Sequence, residues 1–156
     1  MHKLRRRLSL VTLAVVFGAG YTTASSSEKQ DETMKPVGTV VRFTAGSTSV
    51  DVTIRQDNPA VRDFLSMLPL SLTLKEFAGR EKIGYLPRKL KHVGSPGSDP
   101  DDGDLIYYVP WGNIGFYYNA SGIGYSDETI NIGTYRASPE QLKMLEGRPV
   151  TVQVVK

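Results

Sequence analysis

Apolar and polar residues alternate along most of the chain, and a period of two predicts short strands. Over 48–55, Val50, Val52 and Ile54 alternate with Asp51, Thr53 and Arg55, so one face is buried and the other wet. The β-rich run 37–44 precedes it and joins it through Ala45-Gly46-Ser47, a hairpin. Leu70, Leu72 and Leu74 alternate with Ser71, Thr73 and Lys75 in a third strand, and a fourth, 82–86, follows the turn Ala78-Gly79-Arg80. Aromatic and β-branched residues fill 105–109 and 114–118, the fifth and sixth strands, around a turn of Pro110, Trp111, Gly112 and Asn113. A seventh strand spans 129–134. In the eighth, 149–155, Val150, Val152 and Val154 alternate with Thr151 and Gln153.

The period changes to that of a helix twice. Asn58 is a natural N-cap with Pro59 at the first helical position, and Val61, Phe64, Leu65 and Leu68 recur on one face until Pro69 stops the run. Ser138, Pro139 and Gln141 announce a second helix with a capping box, whose apolar side is Leu142 and Leu145 and whose end is Gly147. Two strands, a helix, five strands, a helix and a last strand make a mainly β chain. That order lets a mixed antiparallel sheet close into an eight-stranded barrel with a helix plugging each open end.

The longest irregular stretch, 87–104, opens with Arg88, Lys89 and Lys91 and closes with Asp99, Asp101, Asp102 and Asp104. Its Gly-Ser-Pro-Gly-Ser centre is that of a mobile surface loop. A second loop containing Gly and Ser covers 120–127.

The first 24 residues follow a different logic. Lys3, Arg5, Arg6 and Arg7 precede an apolar run over 8–19, and Thr22 and Ala24 stand at the −3 and −1 positions before Ser25. This is the pattern of a cleaved signal peptide. The apolar run is shorter than the roughly 20 residues that span a bilayer, and no Cys at the cleavage site offers a lipid anchor. Arg5-Arg6-Arg7-Leu8 also admits a twin-arginine reading. Polar, aperiodic 25–35 is expected to be a disordered tether to a single domain over 36–156, which has residues enough for one core.

Removing the signal changes the charge argument. The chain has 19 Lys and Arg against 16 Asp and Glu; four of the basic residues and none of the acidic ones fall in 1–24, leaving 15 against 16, a net charge of −1. A mature chain near neutrality has no global reason to bind nucleic acid or anionic lipid, and no stable membrane insertion is expected once the signal is gone. The chain has no cysteine, so packing rather than disulfides must stabilise an exported, secreted or periplasmic domain.

The hairpin over 103–118 holds the only Trp and four of the eight Tyr. Gly103-Asp104-Leu105-Ile106-Tyr107-Tyr108-Val109-Pro110, the turn Gly112-Asn113, and Ile114-Gly115-Phe116-Tyr117-Tyr118 resemble the signature of bacterial cyclophilin-like fold proteins. Asn58-Pro59-Ala60, Phe64-Leu65 to Pro69-Leu70, Tyr85-Leu86-Pro87 and Ile132-Gly133 resemble the same family in the same order. The resemblance covers about 37–155 and implies a cyclophilin-like β-barrel. Catalytic cyclophilins are peptidyl-prolyl isomerases that use an Arg with a Phe-His-Arg segment and a Phe-Met-x-Gln-Gly-Gly segment. Neither segment is present here: 70–77 has no His or Arg, and 82–86 has no Gln. No catalytic residue is transferred, and a divergent isomerase stands as the alternative to a binding domain.

The inventory narrows other chemistry. His92 is the only histidine after the signal: a Ser-His-Asp triad would have to be built on this one loop imidazole, which reads instead as a solvated loop residue, and a zinc site lacks both Cys and a second His, so no cofactor is implied. The acidic run over 99–104 departs from calcium-loop order, with Gly103 and Asp104 at its fifth and sixth positions and Pro110 at its twelfth. Glu76, Glu81 and Glu128 are scattered and suggest no carboxylate pair. Arg80, Lys82, Arg88, Lys89 and Lys91 read as a solubilising basic run, and stacking of single-stranded nucleic acid on Tyr85 and Tyr107 does not suit an exported chain. What remains is a groove on the barrel wall lined by Tyr85, Arg88, Tyr108, Trp111 and Tyr125, where amphipathic rings and one cation would hold a peptide or small molecule. Phe116 and Tyr118, in phase with Ile114, are expected to face inward, whereas Trp111 sits in a turn, where it is either folded back as a lid or offered to a partner.

Overall fold

The computed structural model describes residues 35–156; the signal peptide expected over 1–24 and the tether up to residue 34 lie outside the described residues. Nine strands and two helices follow in the order β1 (Val40–Ala45), β2 (Thr48–Ile54), α1 (Pro59–Ser66), β3 (Leu70–Thr73), β4 (Lys75–Phe77), β5 (Glu81–Tyr85), β6 (Asp104–Tyr108), β7 (Asn113–Tyr117), β8 (Thr129–Tyr135), α2 (Pro139–Leu145) and β9 (Pro149–Val154). They form one antiparallel sheet in the order β3-β9-β1-β2-β8-β6-β7-β5-β4. Its two edges, β3 and β4, are consecutive in the chain, so the sheet curls into a nearly closed barrel. Among the described residues no helix is long and apolar enough to cross a membrane.

The expected third strand is therefore two, which is why the barrel has nine strands rather than eight. Alternation runs unbroken through Leu74 and Lys75, but the backbone changes partner there. Leu70–Thr73 pairs with β9, Lys75–Phe77 pairs with β5, and the Leu74 carbonyl between them accepts from Gly147 N at 3.0 Å. Gly84 on β5 makes the crossing possible. A Cβ there would lie 2.9 Å from methyl groups of both Leu72 and Leu74 and 3.3 Å from the Thr73 carbonyl.

Inward residues of opposite strands fill the barrel. Phe43 meets Phe116 edge to face at 4.9 Å, and Phe116 meets Tyr135 at 5.2 Å; such pairs add about 1 kcal/mol each beyond the area they bury. Ile114 and Phe116 face inward as the strand phase requires, while Tyr118 is half-buried at the edge of the core and donates to Glu76. Both helices are capped as the sequence indicates. Asn58 Oδ1 accepts from Val61 N at 3.0 Å, and the Ser138–Gln141 capping box is closed in both directions. Ala60, Val61, Phe64 and Leu65 of α1 and Leu142 and Leu145 of α2 complete the core.

The basic half of the long loop is bound to the barrel and to α1. Leu90 is buried and its N–H donates to the Tyr107 hydroxyl at 3.0 Å, while Asp63 of α1 accepts from Lys91 N at 2.8 Å. Ser95 Oγ accepts from Ala60 N and donates to the N-cap Asn58. Near α2, the buried Lys82 ammonium is held between the Glu76 and Glu146 carboxylates, which offsets the cost of taking its charge out of water.

Candidate functional site

Strand alternation assigns the outer wall. Leu105 and Tyr107 of β6 and Ile114 and Phe116 of β7 enter the main core, leaving Ile106, Tyr108, Asn113, Gly115 and Tyr117 on the outer face. Glu81 of β5 stands directly opposite Tyr117 in the ladder, and Phe77 of β4 stands opposite Glu81. The turn carrying Trp111 overhangs one side of this surface and the loop over 120–127 the other. Between them lies a cavity of about 330 Å3 whose walls include Phe77, Tyr108, Trp111 and Tyr125.

The walls are aromatic and partly open to solvent. Trp111, 48% exposed, meets Phe77 and Tyr108 edge to face at 5.3 and 5.5 Å. Its turn is fixed by Gly112 N donating to the Tyr108 carbonyl at 2.9 Å and by Lys89 Nζ donating to the Pro110 carbonyl at 3.1 Å. Gly112 has φ +69°, a conformation that disfavours other residues. Tyr125 donates to Asp127 at 2.9 Å, and its loop is secured where Ser98 and Ser126 exchange backbone hydrogen bonds.

The floor is polar, and its acceptors are not all used. Glu81 and Asn113 are both more than nine-tenths buried, and Glu81 Oε2 and Asn113 Oδ1 have no hydrogen-bond partner. The Asn113 amide nitrogen donates to the Ile114 carbonyl at 3.4 Å, which sets its oxygen as the free atom. Glu81 sits over the bare backbone of β7: a Cβ on Gly115 would collide with its Oε2. Burial pushes the Glu81 carboxyl up to about 7, opposed by hydrogen bonding from the Tyr117 hydroxyl and reinforced by the charge of Glu76. Burial and the adjacent Glu81 push Tyr117 up to about 12. An unpaired buried acceptor costs about 1–3 kcal/mol, and the cavity floor has two.

Of the five residues expected to line one groove, the structure brings Tyr108, Trp111 and Tyr125 into this cavity. Tyr85 lies in an adjoining depression of about 340 Å3 that shares Phe77 and Trp111, and the Lys75 ammonium stands 5.4 Å from its ring centroid. Arg88 is directed elsewhere. Its guanidinium forks onto both carboxylate oxygens of Asp63 at 2.5 and 3.1 Å and helps hold the long loop to α1. Trp111 and Arg88 thus do not share a cleft. Sequence reasoning passed over Glu81 and Asn113, although alternation along β5 and β7 directs both side chains to the aromatic face.

A larger depression of about 690 Å3 lies beside β2 and the acidic turn. Its lining holds one ion pair, in which Arg42 forks onto Asp51 at 2.7 and 2.8 Å, while Arg55 donates to Thr134 and Asp104 accepts from Asp101 N. Among the described residues no group of three His, Cys, Asp or Glu is placed to hold a metal ion.

A nearly closed barrel whose two edges are the halves of a split strand, with an aromatic cavity over a buried carboxylate on its outer wall, is the class this geometry defines. The sequence profile of the cyclophilin-like family matches residues 43–155, and the chain belongs to that family. No curated protein matches the chain. Among solved structures, a hypothetical protein from Archaeoglobus fulgidus is similar at 20% identity over 78% of this chain and 98% of its own, with a TM-score of 0.56; this likeness concerns the fold alone.

Proposed function

We propose that the protein is an exported binding domain that holds a peptide or small molecule in the cavity bounded by Tyr108, Trp111 and Tyr125. One observation carries this reading: exposed aromatic walls stand over a floor with two buried, unpartnered acceptors. Aromatic walls bury ligand area while a few fixed polar atoms orient it, which is the usual economy of a ligand pocket. Among the described residues no arginine lines this cavity, and a divergent prolyl isomerase remains the alternative reading. Export to the periplasm or beyond rests on the sequence of 1–24.

Intrinsic fluorescence reports on the cavity because Trp111 is the only tryptophan. Screens of peptide and small-molecule libraries should yield compounds that shift its emission and raise Tm, and Trp111→Ala should abolish the rise in Tm. Flat screens, or stabilisation that survives Trp111→Ala, would favour an assembly module without a small ligand. N-terminal sequencing of the protein from cell fractions should find Ser25 first in an exported fraction; an intact chain in the cytoplasm would overturn export.

A further inference from the structure

Glu81 and Asn113 line the cavity, and once Glu81 is ionised, as at pH 8, the unsatisfied atom of each is an acceptor, so a ligand that only accepts hydrogen bonds leaves both orphaned. The nearby cations are committed elsewhere. Arg80 donates to the Asn119 and Ser121 carbonyls, Lys82 is held by Glu76 and Glu146, and Lys75 lies over Tyr85. Among the described residues no Lys or Arg forms an ion pair with Glu81. The aromatic rings of Phe77, Tyr108, Trp111 and Tyr125 surround the same space, and the faces of such rings attract cations, most strongly where water is excluded.

We infer that the cavity selects an organic cation bearing N–H donors, a primary ammonium or a guanidinium group, with Glu81 and Asn113 as acceptors and Tyr108, Trp111 and Tyr125 as walls. This rests on reading the cavity as a ligand site. The donor requirement separates the proposal from a purely aromatic cage. A quaternary ammonium would gain from the rings but leave both floor acceptors unmet, whereas an N–H cation supplies donors to them and a counter-charge to the Glu81 carboxylate.

The test is a Trp111 fluorescence titration of the full chain at pH 8 and constant ionic strength. The probes are butylammonium, butylguanidinium, butyltrimethylammonium and neutral butyramide. The first two should saturate, and the last two should bind about tenfold or more weakly, the loss expected when charged hydrogen bonds are removed. Glu81→Gln should weaken butylammonium by about tenfold or more, with circular dichroism confirming its fold. The comparison among probes on the unsubstituted protein decides the matter even if that variant does not fold. A doubly blocked lysine peptide, run beside butylammonium, distinguishes a peptide side chain from a free amine by which binds tighter, and either supports the assignment.

Butyltrimethylammonium binding as well as butylammonium would overturn the donor requirement, and butyramide binding as well would overturn the requirement for charge. Each would leave the cavity a binding site. Absence of saturable binding by all the probes would overturn the inference, and the library screens would then judge the cavity itself.

Discussion

Glu81→Gln isolates the carboxyl on which the site's chemistry turns. In the fold this group titrates at about 7 rather than the ordinary 4.5, so its full ionisation weakens the fold by about 3 kcal/mol. Below pH 4.5 the carboxyl is protonated in both folded and unfolded chains, and its favourable contribution is complete. That contribution is lost as pH rises through about 7 and levels off above it. Glu76 reinforces the effect and the Tyr117 hydroxyl opposes it. Asp51, Asp63 and Glu76, held below the usual carboxylate range by Arg42, Arg88 and Lys82, act with opposite sign: they stabilise at neutral pH, and the benefit disappears in acid. Subtracting the urea-unfolding free energy of Glu81→Gln from that of the unsubstituted protein cancels these shared contributions. The difference should fall by about 3 kcal/mol between pH 4.5 and pH 8. A constant offset from the altered bond to Tyr117 would not matter, because the slope carries the claim. A difference that stays flat across this interval would refute the buried, high-pKa carboxyl.

Three further substitutions test how the barrel holds the site. Gly84→Ala drives a methyl against Leu72 and Leu74 at the closure and should cost about 1–3 kcal/mol, read as a lower Tm in calorimetry. Tyr107→Phe leaves the Leu90 N–H without its buried acceptor and should cost about 1–2 kcal/mol in urea unfolding, with hydrogen exchange at Leu90 accelerated. Asn58→Ala removes both the α1 cap and the acceptor of Ser95, and should cost about 1–2 kcal/mol by the same measurement.

The fold was largely legible because its determinants are local. Period-two runs marked the strands, and Asn58-Pro59 and Ser138-Pro139 with Gln141 marked the helix starts, since caps and N1 prolines act within one turn. The split at Leu74 was not legible: Leu72, Leu74 and their polar neighbours keep the strand rhythm while the backbone changes partner, and the glycine that permits it lies ten residues on, at Gly84. The site divides the same way. Tyr108 and Trp111 share one hairpin, and Tyr125 joins them because its loop is pinned to Ser98. Arg88 was misplaced because its partner, Asp63, is brought to it by tertiary packing of α1. Glu81 looked isolated because what makes it special, burial over Gly115 opposite Tyr117, depends on strand register.

The most direct measurement of the central claim, that the outer-wall cavity is a ligand site, is nitrogen-15 NMR mapping of compounds recovered from the library screens. Shifts concentrated at the Trp111 indole, the Asn113 side-chain amide and the backbone of 122–126 are the predicted result. Shifts confined to the depression around Arg42, Arg55 and Arg136, or none beyond bulk solvent effects, would contradict it.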